Sequence, residues 1–218
     1  SAGRDNGAAP HLEVEGVVGP VAMMSFDNVG AAGAVHSSAS DMARWVRMLL
    51  ECGRKGAPAG QTCPLQPEAV QRMWTAQFAL GTPDPPAGLE PLKANFAAYG
   101  LGFGLRDYRG RKVASHTGGL PGYVSQVALV PEERLGVVVL TNQEETGAFE
   151  AVRYRVFDEY LGAPAPPVDW VAAFRKRAED ELRRSLVADI AHELRTPVTV
   201  LQAETEAMLD GVVPVDDR

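Results

Sequence analysis

Cysteine is scarce. Cys52 and Cys63 are the two in 218 residues, and without histidine or further cysteine at ligand spacing they make no metal site. They read as free structural thiols, with a disulfide closing the short loop between them as the alternative. No apolar run approaches the roughly 20 residues a membrane helix needs, and the opening SAGRDNGAAP lacks the basic and apolar layout of a signal peptide. These absences predict a soluble, cytoplasmic chain without a membrane segment. Basic residues are outnumbered, 21 Lys and Arg against 28 Asp and Glu for a net charge of −7, which argues against the concentrated basic face of a general nucleic-acid binder. No motif asks for a cofactor.

What is present divides by period. Residues 1 to 32 are rich in Gly and Ala and are expected to be irregular. In AVHSSASDMARWVRMLLECG, Ser38 and Asp41 stand as a capping pair, and Met42, Trp45, Val46, Leu49 and Leu50 recur at helical spacing. This predicts a helix with one buried face, ending near Gly53. Pro67 suits the first turn of a second helix, whose Val70, Met73 and Trp74 face the core. The prolines of GTPDPPAGLEP mark a loop.

From Tyr99 the pattern shortens to strands. YGLGFGLRDY, KVASHTG, YVSQVALVP and LGVVVLTN are separated by turn chemistry at Arg109-Gly110, Gly118 to Gly122 and Glu132 to Arg134. Connections this short require antiparallel neighbours. A closing helix, GAFEAVRYRVFDEYLG, is expected to cover the sheet with Phe149, Val152, Val156, Phe157 and Tyr160. GAPAPPVDW then reads as a linker. The fold class expected is α+β, an antiparallel meander covered by helices and followed by a long C-terminal helix.

The stretch SHTGGLPGY carries the first chemical signal. A strand ending in His116-Thr117 and running into Gly118-Gly119 offers side-chain donors beside backbone that a ligand can approach closely, and a free Gly119 N–H has the chemistry of an oxyanion donor. The plainer reading is a half-buried strand histidine followed by turn glycines. The order of these segments resembles the C-terminal half of the serine β-lactamase and penicillin-binding-protein-like hydrolases, the class C-related esterase and peptidase group, over roughly residues 10 to 165. By that resemblance His116, Thr117 and Gly118 match the His-Xaa-Gly form of the strand that lines the active site, and Gly119 supplies one oxyanion amide. The substrates implied are β-lactams, D-amino-acid peptides or small esters, attacked by a serine to give an acyl-enzyme. The family takes that serine from Ser-Xaa-Xaa-Lys, and no serine here has lysine three residues on. Tyr123-Val124-Ser125 matches the family's second-base pattern by letters only, because it follows the His-Thr-Gly strand instead of preceding it. The chain alone is therefore expected not to acylate.

Between Val168 and Leu209 there is no glycine and one proline, Pro197. Leu182, Leu186, Ile190, Leu194, Val198 and Leu201 form an apolar stripe at spacings of four and three, and such a helix needs an apolar partner. His192 is turned away from the stripe, Glu193 beside it is a candidate base, Thr196 lies one turn further on the same side, and Pro197 is expected to bend the helix. LVADIAHELRTPVTVLQAETEAMLDG resembles the H-box helix of sensor histidine kinases over about residues 176 to 214. That resemblance implies His192 as phosphoacceptor, Glu193 as its activator, Thr196 as a residue for dephosphorylation, and a homodimer and a response regulator as partners. No second bundle helix and no ATP-binding motif is read in the sequence.

The organisation expected is thus a partial hydrolase domain over 1–165, a linker over 166–175 and a partial phosphoacceptor helix over 176–218. Two functions compete: an incomplete serine hydrolase, and a two-component signalling fragment.

Overall fold

The computed structural model describes residues 7–26, 30–54, 56, 63–163 and 166–188. The chain divides into two compact units, Ser1–Phe174 and Arg175–Arg218.

The first unit begins with a two-stranded hairpin, β1 His11–Val14 and β2 Val17–Pro20, turned by Glu15 and Gly16 at φ 51° and 79°. A short helix, α1 Gly30–Gly33, follows. Residues 1 to 32 are thus not uniformly irregular as expected. These elements are only four residues each and mostly exposed, so they bury too little to imprint a period on the sequence.

Helix α2 Ala39–Cys52 starts where the capping pair predicts, with the Asp41 N–H donating to Ser38 Oγ at 3.1 Å. Val46, Leu49 and Leu50 are buried, whereas Trp45 stays on the exposed side. Helix α3 Pro67–Met73 carries Pro67 in its first turn, and Val70 and Trp74 enter the same core.

Six antiparallel strands then pair in chain order: β3 Phe78–Leu80, β4 Ala97–Tyr99, β5 Gly104–Tyr108, β6 Arg111–Leu120, β7 Tyr123–Val130 and β8 Leu135–Thr141. Two-residue turns make the β5–β6–β7 part of this order compulsory, and the short links 100–103 and 131–134 favour antiparallel neighbours on either side of it. Arg109 and Gly110 join β5 to β6 at φ 52° and 72°, and Pro121-Gly122 joins β6 to β7. The expected turn at Gly118 to Gly122 is therefore shorter than it looked: Gly118 and Gly119 are strand residues paired with Ser125 and Val124. Glycine in a strand and glycine in a turn carry the same sequence signal, and only the pairing separates them.

Alternation along the strands sends side chains to two cores. Leu105, Ala114, Val127 and Leu129 pack with α2 and α3 on one face. Tyr108, Val113, Ala128, Val130 and Val137 pack on the other, under helix α4 Thr146–Leu161. Helix α2 reaches the sheet because Gly136 has no side chain: a Cβ there would stand 2.2 Å from Val46 Cγ1. Helix α4 buries Phe149 and Phe157 as expected, but Val152 and Tyr160 are 47% and 71% exposed. Ala151, Tyr154 and Asp158 take the inward positions instead. The helix has rotated to place Tyr154 among Tyr108, Trp170 and Phe174, at ring-centroid distances of 5.0, 5.1 and 6.1 Å.

Two buried carboxylates organise this unit. Asp107 accepts from the Asn95 N–H, from Asn95 Nδ2 and from the Phe96 N–H at 2.6, 2.6 and 3.1 Å. Burial opposes its charge, but these hydrogen bonds outweigh it and hold its pKa below the ordinary aspartate value. Asp158 accepts from Tyr108 Oη and Trp170 Nε1, each at 2.6 Å, and Arg109 Nε lies 3.3 Å away. Burial, together with the bond donated to Asp158, pushes the Tyr108 phenol well above the usual tyrosine range. Trp170 and Phe174, from the stretch that reads as linker, are both buried in this core. Cys52 and Cys63 are buried free thiols; a hydrogen bond to Cys52, with burial, pushes Cys63 up to about 11.

A helix covers residues 170–188. In the part belonging to the second unit, Leu182 and Leu186 are 73% and 58% exposed, so the apolar stripe is on the surface there. Arg177 Nε donates to Glu181 Oε1 at 2.8 Å one turn along the same helix. His192, Glu193, Thr196 and Pro197 lie outside the described residues. No helix among the described residues is long and apolar enough to cross a membrane.

Candidate functional site

The four residues His116, Thr117, Gly118 and Gly119 lie consecutively on β6, and all four are exposed. Their exposure follows from a mismatch in strand length. Strand β5 pairs with β6 only from Arg111 to Ser115, where Gly104 is the last partner. Beyond Gly104 the chain turns away, the Gly100 N–H donating to Phe103 O at 2.8 Å and the Leu101 N–H to Met73 O at 3.1 Å. Among the described residues no strand pairs with 116–120 on that side. Strand β7 covers the other side through Leu120. The segment is therefore a strand with one edge open.

Register assigns the side chains. His116 is opposite Val127 and Gly118 opposite Ser125, on the face of α2 and α3, while Thr117 is opposite Gln126 and Gly119 opposite Val124, on the face of α4. His116 and Thr117 thus leave the strand on opposite faces. The backbone direction also follows. Ser125 Oγ donates to Gly118 O at 3.4 Å, so that carbonyl points to β7. A trans peptide turns the Gly119 N–H the other way, toward the open edge. The neighbouring strand agrees, since Val124 O faces β8 and accepts from Thr141 Oγ1 at 3.1 Å. Gln126 beneath Thr117 is buried and donates through Nε2 to Glu150 Oε1 at 3.1 Å.

The far end of β6 is held by the first residues of the chain. Tyr123 Oη donates to Ala8 O at 2.6 Å, Asn142 Nδ2 to Ala9 O at 2.8 Å, and the His11 N–H to Asn142 O at 3.0 Å. The Gly122 N–H donates to Glu144 Oε1 at 3.1 Å. The turn beneath the open strand is thereby pinned through Tyr123 and the Gly122 N–H, and again at Gly122 O, which accepts from the His11 N–H at 3.3 Å. A cleft of about 270 Å³ lined by Arg47, Arg134, Gly136 and Val138 among others lies against α2 and β8 and does not include the His116 segment. The candidate site is an open wall.

An antiparallel sheet between helices, presenting a His-Thr-Gly-Gly segment along an open strand edge, defines a β-lactamase-like serine hydrolase fold. The chain belongs to the β-lactamase family, whose family model matches residues 1–161. A His Kinase A (phospho-acceptor) domain matches residues 182–218. Unguisins hydrolase ungD of Aspergillus violaceofuscus is 29% identical over 149 residues, covering 67% of this chain and 26% of the hydrolase. Signal transduction histidine-protein kinase BaeS of Escherichia coli is 37% identical over 84 residues, covering 38% of this chain and 17% of the kinase. An octameric penicillin-binding protein homologue from Pyrococcus abyssi aligns at a TM-score of 0.46 and 22% identity, over 63% of this chain and 27% of that one. The chain spans about a quarter of the hydrolase's length, 26%.

Sequence reasoning did not single out Ser125 as part of this wall. It was met only in the Tyr123-Val124-Ser125 match by letters, because its place opposite Gly118 depends on the two-residue turn that sets the register.

Proposed function

We propose that the first unit is the substrate-wall part of a serine β-lactamase-like hydrolase of penicillin-recognising or esterase type. The observation that carries this reading is the open β6 edge at His116–Gly119, with the Gly119 N–H directed out of the sheet. In this reading a β-lactam, peptide or small ester lies along the open edge, flanked by His116 on one face and Thr117 on the other, and the glycines let it approach the strand backbone. The Gly119 amide stabilises the oxyanion formed on acyl transfer. The nucleophile is a serine of Ser-Xaa-Xaa-Lys type supplied from outside these 218 residues, because no serine among them is followed at that spacing by lysine. The chain alone therefore does not turn over substrate. Nitrocefin and a p-nitrophenyl ester are the test: no burst is expected, and a stoichiometric burst abolished by mutating one serine of this chain overturns the reading.

The second reading rests on the phospho-acceptor match over 182–218. Here His192 accepts a phosphoryl group from a complete kinase, Glu193 activates it and Thr196 serves dephosphorylation by a response regulator, in the cytoplasm and as a homodimer. Residues 1–165 are then a ligand-sensing or bystander domain, and 166–175 connect it to the phosphoacceptor segment of 176–218. Label from γ-phosphate ATP supplied with a kinase in trans is expected on the wild type and not on His192→Gln; equal labelling of both sinks the assignment.

A further inference from the structure

We propose that Ser125 is a positioning residue for the Gly118–Gly119 peptide, an assignment that rests on the hydrolase reading of that strand. Three observations converge on it. Ser125 faces Gly118 across the β6–β7 ladder. Its hydroxyl donates to Gly118 O at 3.4 Å. Its Oγ also occupies the space a side chain at position 118 would take, 2.6 Å from where a Cβ would stand. The glycine at 118 therefore does more than let a substrate come close. It makes room for a hydroxyl from the neighbouring strand.

The consequence reaches the open edge through one peptide group. Gly118 C=O and Gly119 N–H belong to the same rigid plane and point in opposite directions. A donor on the carbonyl draws electron density from the amide and strengthens the N–H as a donor. It also resists rotation of the plane. That matters at a Gly-Gly step, because glycine has the widest backbone freedom of any residue, and on the open side no strand holds this one among the described residues. Ser125 touches the peptide from the covered side of β6, so it acts on a substrate through Gly119 and not by contact. Thr141 makes the matching contact on the other edge of β7, its one hydroxyl proton shared between Val124 O at 3.1 Å and Gln143 O at 3.0 Å. The strand that carries Ser125 is thus itself held in register.

The test uses the full chain labelled with nitrogen-15, and benzylpenicillin as probe. Without probe, Ser125→Ala is expected to move the Gly119 amide proton upfield, Ser125→Thr to restore it, and Gly118→Ala to reproduce the loss by displacing the hydroxyl. Unchanged β8 amide shifts in all three variants show that the sheet is intact. With probe, Ser125→Ala is expected to weaken binding by about twofold or less, the cooperative share of roughly 10–30% of one hydrogen bond, with Ser125→Thr near wild type. A Gly119 amide that does not respond to Ser125→Ala overturns the role of Ser125, whatever the probe does. Wild-type protein that fails to bind benzylpenicillin while the Gly119 amide does respond removes the hydrolase reading and leaves the hold of Ser125 on the peptide standing.

Discussion

Replacing Asp158 by alanine tests the packing logic of the first unit most directly. The carboxylate receives Tyr108 Oη and Trp170 Nε1, each at 2.6 Å, and lies 3.3 Å from Arg109 Nε. Asp158→Ala strands two buried donors, at about 1–3 kcal/mol each. Removing one partner of a buried charge pair costs about 3–5 kcal/mol by a separate route. Both figures describe one loss, so the expected destabilisation is about 3–5 kcal/mol and not their sum. Arg109 remains partly exposed and can be rehydrated, which places the value toward the lower end. Asp158→Asn keeps one acceptor and turns an amide donor toward the other site, for a smaller loss of about 1–3 kcal/mol. Urea unfolding followed by tryptophan fluorescence measures both, with Trp170 inside the affected cluster. A double-mutant cycle with Tyr108→Phe should show coupling. If Asp158→Ala stays within about 1 kcal/mol of wild type with an unchanged m-value, the carboxylate does not organise this core and the reasoning fails.

Two further outcomes follow from the same geometry. The pKa of Asp107 is lower in the folded chain than its unfolded value of about 3.9, so its stabilising contribution is present above that value and is lost as pH falls through the folded pKa; Asp107→Asn should flatten the acid limb of a stability-against-pH curve, and an unchanged limb would count against the hydrogen bonds from Asn95 and Phe96. Gly136→Ala places a methyl 2.2 Å from Val46 Cγ1 and should cost about 1–3 kcal/mol by overpacking, largely recovered when combined with Val46→Ala; thermal unfolding of the pair checks this, and purely additive losses would mean that α2 does not rest on Gly136.

Much of the scaffold was legible because it is local. The Ser38–Asp41 cap, Pro67 in a first turn and the Arg109-Gly110 turn are short-range chemistry, and each lies where its residues predict. The meander followed from connections too short for any parallel arrangement. The His-Thr-Gly-Gly run was legible as a string, as was the helical stripe through Leu182 and Leu186. The face of α4 was not. Val152 and Tyr160 fit an apolar stripe as well as Ala151 and Tyr154 do, and the choice fell to the aromatic cluster contributed by Tyr108, Trp170 and Phe174.

The sequence by itself determined helices α2, α3 and α4, the antiparallel order from β5 to β8 and, as a string, the residues of the candidate wall, because periodicity, capping and turn chemistry act within a few residues. Tertiary structure alone decided that β5 ends at Gly104 and leaves β6 open from His116 onward. It also turned His116 and Thr117 to opposite faces, aimed the Gly119 N–H outward and set the Ser125 hydroxyl over Gly118. These are properties of register between strands, and register depends on where the partner strand stops, which no single stretch of the sequence contains.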